Sequence, residues 1–325
     1  MSCTELLTRP MPTKTRSSVA AFVFVIGSAT FAQADVGVRV TPDDAWKAWS
    51  FDPLVLFTLI TAGVLYHRGH MDLQRRTDRI APLSRAVCFY AALGLIGLIL
   101  LSPLDALSQE LSAAHMVQHM LIMLLAAPLF VLAAPATIIA YAMPPSWQQV
   151  VGLQWLSHRL AWHPIALWTI FAITLWGWHH PVLYHAALRD PLVHDAQHLS
   201  FFLAAFLFWR IALDPVSRRR LHPMAALPFL FTTSLHASAL GIFLTLAPAP
   251  WYDDYAARTA AFGLTPLVDQ QLAGLFMWVP GCLVYPIVAM GLVVRWLTAS
   301  NEIAPIDRAI AARGRPRLAA PHGVD

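Results

Sequence analysis

Ala114-His115-Met116-Val117-Gln118-His119-Met120 runs without a break into Leu121-Ile122-Met123-Leu124-Leu125-Ala126-Ala127-Pro128-Leu129-Phe130-Val131-Leu132-Ala133-Ala134. The stretch holds no Asp, Glu, Lys or Arg, and its length falls within the roughly 17–25 residues that cross a bilayer core as a helix. Its polar groups gather at one end. His115 and His119 are four residues apart, so on a helix they share a face about 6 Å apart along the axis. A membrane span with two histidines at its mouth is the reading from which the rest follows.

Outward from this segment, apolar runs at 48–66, 82–101, 160–179, 194–213, 224–247 and 270–297 give seven expected spans in all. Asp52-Pro53 interrupts the start of the first. The composition agrees: 58% of the 325 residues are hydrophobic and only 12% charged, against about 25% charged in a soluble domain. A chain this poor in charge cannot cover a water-facing surface. The expected fold is therefore all-α, a polytopic seven-transmembrane-helix bundle over 35–297. Residues 1–34 read as a signal peptide. Arg9, Lys14 and Arg16 precede an apolar run, Val19 to Phe31, and Ala32-Gln33-Ala34 is an A-x-A cleavage site. An uncleaved extra helix is the alternative. Residues 298–325, rich in Ala, Pro and Arg, read as a cytoplasmic, disordered tail.

Basic residues orient the bundle. One set of connections carries Arg68, Arg75, Arg76, Arg79 and Arg85, then Arg159, then Arg210, Arg218, Arg219 and Arg220, then the arginines of the C-terminal end. The opposite set carries Arg39, Lys47, Arg189 and Arg258. The positive-inside rule places the first set in the cytoplasm, giving an N-out, C-in topology that a cleaved signal also requires. The net charge of +4 is thus read as topology, and no nucleic-acid partner is expected. Cys3, Cys88 and Cys282 form no CxxC pair, and no disulfide is expected.

With this orientation the fourteen histidines are unevenly placed. His194-Asp195-Ala196-Gln197-His198 repeats the HxxxH spacing at the outer end of another span. His179 follows the fourth span outside, and Asp269 opens the seventh on the same side. Ionisable groups at membrane depth are costly and mark function by default. Two facing HxxxH helices could supply four nitrogens to a metal, and Asp269 a carboxylate. His236, in the middle of the sixth span, reads equally as a deep ligand or as an interhelical hydrogen bond beside Ser234 and Ser238. Imidazole suits zinc, copper, iron and nickel, whereas thioether selects cuprous copper. Met116 and Met120 stand beside the first HxxxH pair, but methionine is also ordinary packing material. A His/Met-lined outer cavity would suit Cu(I), with zinc as the alternative.

Four stretches together resemble the multi-span CtaG family of cytochrome c oxidase assembly factors, associated with caa-type oxidases. They are Ser102-Pro103-Leu104-Asp105 leading into A-H-M-V-Q-H-M (114–120), W-G-W-H-H-P-V-L-Y (176–184), V-H-D-A-Q-H-L-S-F (193–201) and D-Q-Q-L-A-G-L-F-M-W-V-P-G (269–281). The resemblance implies a non-enzymatic role in forming active oxidase, through copper delivery or insertion, in the bacterial inner membrane. It carries over His115, His119, His179, His194, His198 and Asp269 as the polar core. Gln197 and His185 depart from the pattern, each standing where an acid is common. The implied partners are oxidase subunits, periplasmic copper chaperones and membrane lipid. Two other classes stay open: an intramembrane zinc-dependent lipid hydrolase, and a haem-carrying electron-transfer protein with histidines from two helices as axial ligands.

Overall fold

The computed structural model describes residues 39–77, 82–142, 163–217 and 219–313. The expected signal peptide, Ala32-Gln33-Ala34 included, lies outside these residues. Among the described residues the regular structure is all helix, with no strand. The helices are α1 (Pro53–Thr77), α2 (Leu83–Leu101), α3 (Pro103–Glu110) and α4 (Ser112–Met120), the last running through a π-helical turn (Leu121–Ala126) into α5 (Ala127–Ala133). There follow α6 (Pro135–Ala142), α7 (Pro164–Trp178), α8 (Pro181–Arg189), α9 (Pro191–Leu213), α10 (Pro223–Leu246) and α11 (Pro266–Arg313).

Proline opens most of these helices, where its missing N–H costs nothing and its fixed φ is already helical. Asp52-Pro53 is such a start. The Asp52 carboxylate accepts from Leu54 N at 2.7 Å and Val55 N at 2.9 Å, so α1 begins at Pro53 and not at residue 48. Asp190 does the same for α9, accepting from Leu192 N at 2.8 Å. At the other end of the chain, α11 continues past Leu297 to Arg313, so the first part of the expected tail is helical.

Five segments are long and apolar enough to cross a membrane: Leu83–Leu101, Ser112–Ile139, Pro191–Leu213, Pro223–Leu246 and Pro266–Thr298. The other two expected spans fall on α1, which carries His67, Arg68, His70 and Asp72 in its second half, and on α7, which is apolar but shorter.

The segment α4–α5 is the hub. α4 packs on α11, while α5 packs on both α2 and α9. At the π turn the Met123 carbonyl accepts from the Trp209 indole of α9 at 2.8 Å, and the Trp209 ring stacks on Tyr285 of α11 with centroids 5.2 Å apart. The segment ends where Ala134 takes a left-handed φ of 48° before Pro135. The freed Ala133 carbonyl accepts from the buried Tyr66 hydroxyl at 3.1 Å.

Helices α10 and α11 touch backbone to backbone. A Cβ on Gly274 would stand 2.5 Å from the Gly241 carbonyl oxygen, and one on Gly241 would stand 2.9 Å from that of Gly274. Lipid tails give helices little reason to associate, so close approach of small residues supplies the contact energy. Gly274→Ala should therefore force the pair apart and cost about 1–3 kcal/mol by overpacking. Gly94→Ala, with nothing within 4 Å of the added carbon, should be neutral or slightly stabilising. Thermal unfolding of both variants in detergent checks this, and equal melting temperatures would contradict the close packing.

Candidate metal centre

Helix α4 is set in place by a carboxylate from the far end of the chain. Leu111 is extended, with φ −132° and ψ 125°, which leaves the first N–H groups of α4 pointing out of the helix. Asp269, in the first turn of α11 and fully buried, accepts from Ser112 N at 2.7 Å and from Ala113 N at 3.1 Å. An anion at a helix N-terminus satisfies both the free donors and the helix dipole. As it stands, then, Asp269 is committed to the α4 backbone and not to the imidazoles.

The cap aims the next turn of α4 at α9. His115 and His119 have no exposed surface, and His194 and His198 are 4% and 5% exposed. The four rings form one group. Centroids are 4.3 Å apart for His115–His119 and for His194–His198, 5.3 Å for His115–His194 and for His119–His198, and 6.3 Å for His115–His198. Both ring nitrogens of His115 and of His119, and the Nε2 atoms of His194 and His198, are buried without a well-formed hydrogen bond, His115 having only the Gln197 amide and the Ser108 carbonyl as looser polar neighbours. The Gln197 amide is in the same condition.

Aromatic rings wall the group. Phe201 lies 4.6 Å from the His119 ring on one side. Tyr184, from α8, lies 5.4 Å from His115 and stacks on Tyr252 at 3.7 Å. Hydroxyl contacts tie this wall together: Tyr184 meets Ser112 and Tyr255, each at 3.4 Å, and Tyr255 donates to the Ser108 carbonyl at 3.1 Å. Burial pushes the Tyr255 phenol well above its ordinary pKa, so it remains a neutral donor. Between the two loop tyrosines, Asp254 accepts from Arg189 at 2.8 Å and pairs with His185 at 2.6 Å. Partial burial pushes this carboxyl up, but the Arg189 and His185 hydrogen bonds outweigh it and hold Asp254 below the usual carboxylate range. Below α3, Gln118 donates to Asp105 at 2.9 Å and to the Ile99 carbonyl at 3.2 Å. Burial pushes the Asp105 carboxyl up to about 6, against the Gln118 bond.

The remaining expected residues lie outside the ring group. His179 donates from Nδ1 to the Leu175 carbonyl at 2.7 Å, and its Nε2 faces Met116 Sδ at 3.4 Å. Met120 packs against the core, partly buried. His236 is held among aromatics, with Trp176 donating to its Nδ1 at 3.4 Å and Trp168 5.1 Å from its ring. Tyr184, Tyr252, Tyr255 and Ser112 were not singled out from the sequence. The run Trp251-Tyr252-Asp253-Asp254-Tyr255 was the available signal.

The donor set suits a metal ion. Four imidazoles fit zinc or copper, and buried polar atoms without partners ask for a ligand, an ion or water. Among the described residues no three His, Cys, Asp or Glu side chains already stand as a ligand set. The His115–His119 and His119–His198 pairs meet near edge to face, at 77° and 85°, so converging on one ion requires the rings to turn.

Because Asp269 holds buried N–H groups, Asp269→Ala should lower stability by about 1–3 kcal/mol per donor stranded. Asp269→Asn keeps one acceptor and should lose less. Thermal unfolding in detergent orders the variants; an Ala variant as stable as the parent would refute the cap.

The family described as cytochrome c oxidase caa3 assembly factor (Caa3_CtaG) matches residues 64–299. No curated protein and no solved structure matches the chain. The matched stretch contains both HxxxH pairs, His179 and Asp269. By that match the chain belongs to the Caa3_CtaG family of cytochrome c oxidase caa3 assembly factors.

Proposed function

We propose that the protein serves oxidase assembly by holding copper at the four-imidazole group and passing it to oxidase subunits at the outer side of the bacterial inner membrane. In this reading the chain spans the membrane seven times, with α1 and α7 joining the five longer apolar segments, N-terminus outside and C-terminus inside. Copper is cargo, delivered by periplasmic chaperones, and lipid surrounds the bundle. The observation that carries the reading is the gathering of His115, His119, His194 and His198 from two helices, with ring nitrogens left unpartnered in a buried site.

The chain's own residues do three things for such a cargo. Asp269 and Ser112 fix the register of α4, so that His115 and His119 face α9. The tyrosine wall screens the imidazoles from water. Neutral imidazoles present lone pairs without adding charge, which lets the ion leave for a better ligand set. A hydrolytic zinc site keeps one position open for water beside three protein ligands, whereas four imidazoles would fill a tetrahedral shell. Rings in mutual contact at 4.3–5.3 Å also leave no slot for a macrocycle between α4 and α9. Both points favour cargo over hydrolysis or haem.

In cells, His115→Ala/His119→Ala should insert at normal level yet lower copper-dependent oxidase activity, with partial rescue by added copper. Its copper affinity should fall by more than the roughly 10–100-fold that loss of an outer-shell partner costs. Full oxidase activity at normal protein level would overturn the site. Reporter fusions test the topology separately: a cytoplasmic reporter should be active at the C-terminus and silent in the 185–190 connection.

A further inference from the structure

A second pair of donors, His179 Nε2 and Met116 Sδ, sits beside the imidazole group with no proton between them. His179 is 3% exposed and Met116 fully buried. His179 Nδ1 lies 2.7 Å from the Leu175 carbonyl oxygen. A carbonyl only accepts, so Nδ1 carries the ring proton. In the neutral ring Nε2 is then a bare lone pair. It faces the Met116 thioether sulfur at 3.4 Å, and that sulfur has no hydrogen to give. Two lone-pair atoms thus meet with nothing shared between them. A proton on Nε2 would answer the contact only by creating a buried imidazolium, which is costly to desolvate.

We propose that His179 Nε2 and Met116 Sδ form a two-donor subsite for a soft monovalent cation, cuprous copper, with silver as its redox-inert analogue. Thioether sulfur selects Cu(I) over the harder divalent ions, and imidazole accepts it readily. Both residues are already oriented, Met116 by the capped α4 and His179 by its bond to the turn at the end of α7. The subsite shares the walls of the imidazole group: the His179 ring lies 6.3 Å from Phe201 and 6.5 Å from Tyr184, the rings that flank His119 and His115. Met116 follows His115 directly in the chain. A cation held there is one side chain away from the four imidazoles, as a station for arrival or hand-over should be. As a hand-over station the subsite rests on the proposed function; as a binding site it stands by itself.

The test uses the purified full-length protein in detergent, titrated with Ag(I), and with Cu(I) under reducing conditions, against a competing chelator. X-ray absorption at the metal edge reads the ligands. The parent should show a sulfur scatterer alongside nitrogen. Met116→Leu, which conserves volume, should lose the sulfur scatterer and the corresponding bound equivalent while melting like the parent. His115→Ala/His119→Ala should keep the sulfur-bound equivalent. A parent without sulfur ligation, or a Met116→Leu variant that binds Ag(I) as the parent does, overturns the subsite. If the double histidine variant binds just as the parent does while Met116→Leu loses the sulfur-bound ion, the four-imidazole reading fails and the subsite survives.

Discussion

Leaving a buried polar atom without a partner costs about 1–3 kcal/mol, and this protein does so several times over within one small volume. His115, His119, His194, His198 and Gln197 all present unpartnered atoms there. Against a total stability of roughly 5–15 kcal/mol for a folded domain, that concentration is not tolerated by chance packing. It is the observation on which the proposed ion site rests.

The rest of the fold serves to hold those rings in place. Asp269 ties α11 to the start of α4, Trp209 ties α9 to the π turn that follows His119, and the Gly241–Gly274 contact locks α10 onto α11. The first two ties are buried hydrogen bonds between elements distant in sequence, so neither HxxxH helix can rotate its histidines toward lipid without breaking one. A π turn directly after the histidine-bearing turn of α4 is also where functional sites tend to be found. The loop that carries Tyr252 and Tyr255 is pinned by Asp254 to His185 and Arg189, closing the aromatic wall.

Much of this could be read from the amino acids. The i, i+4 spacing of His115 with His119 and of His194 with His198 states which face each pair occupies, and charge-poor runs state that the faces lie within a helical membrane bundle. The role of Asp269 could not be read the same way. An acid near histidines suggests a ligand, but its actual partners are backbone N–H groups more than 150 residues away, and free backbone donors leave no mark in a sequence. The tyrosine wall was hidden for a similar reason, since loop residues follow no period. Asp52-Pro53 was legible as a disturbance in the first span but is in fact its N-terminal cap, a distinction that depends on φ and ψ. The helical continuation to Arg313 ran against a composition rich in Ala, Pro and Arg, in which the alanine and arginine favour helix.

The central claim is that imidazoles from α4 and α9 share one ion. Pulsed electron paramagnetic resonance of the purified protein loaded with Cu(II) counts the imidazoles bound to each copper. Modulation from more than one imidazole, reduced when His194 and His198 are replaced, is the predicted result. Copper bound with no imidazole modulation, or with a single imidazole unaffected by those replacements, would contradict it.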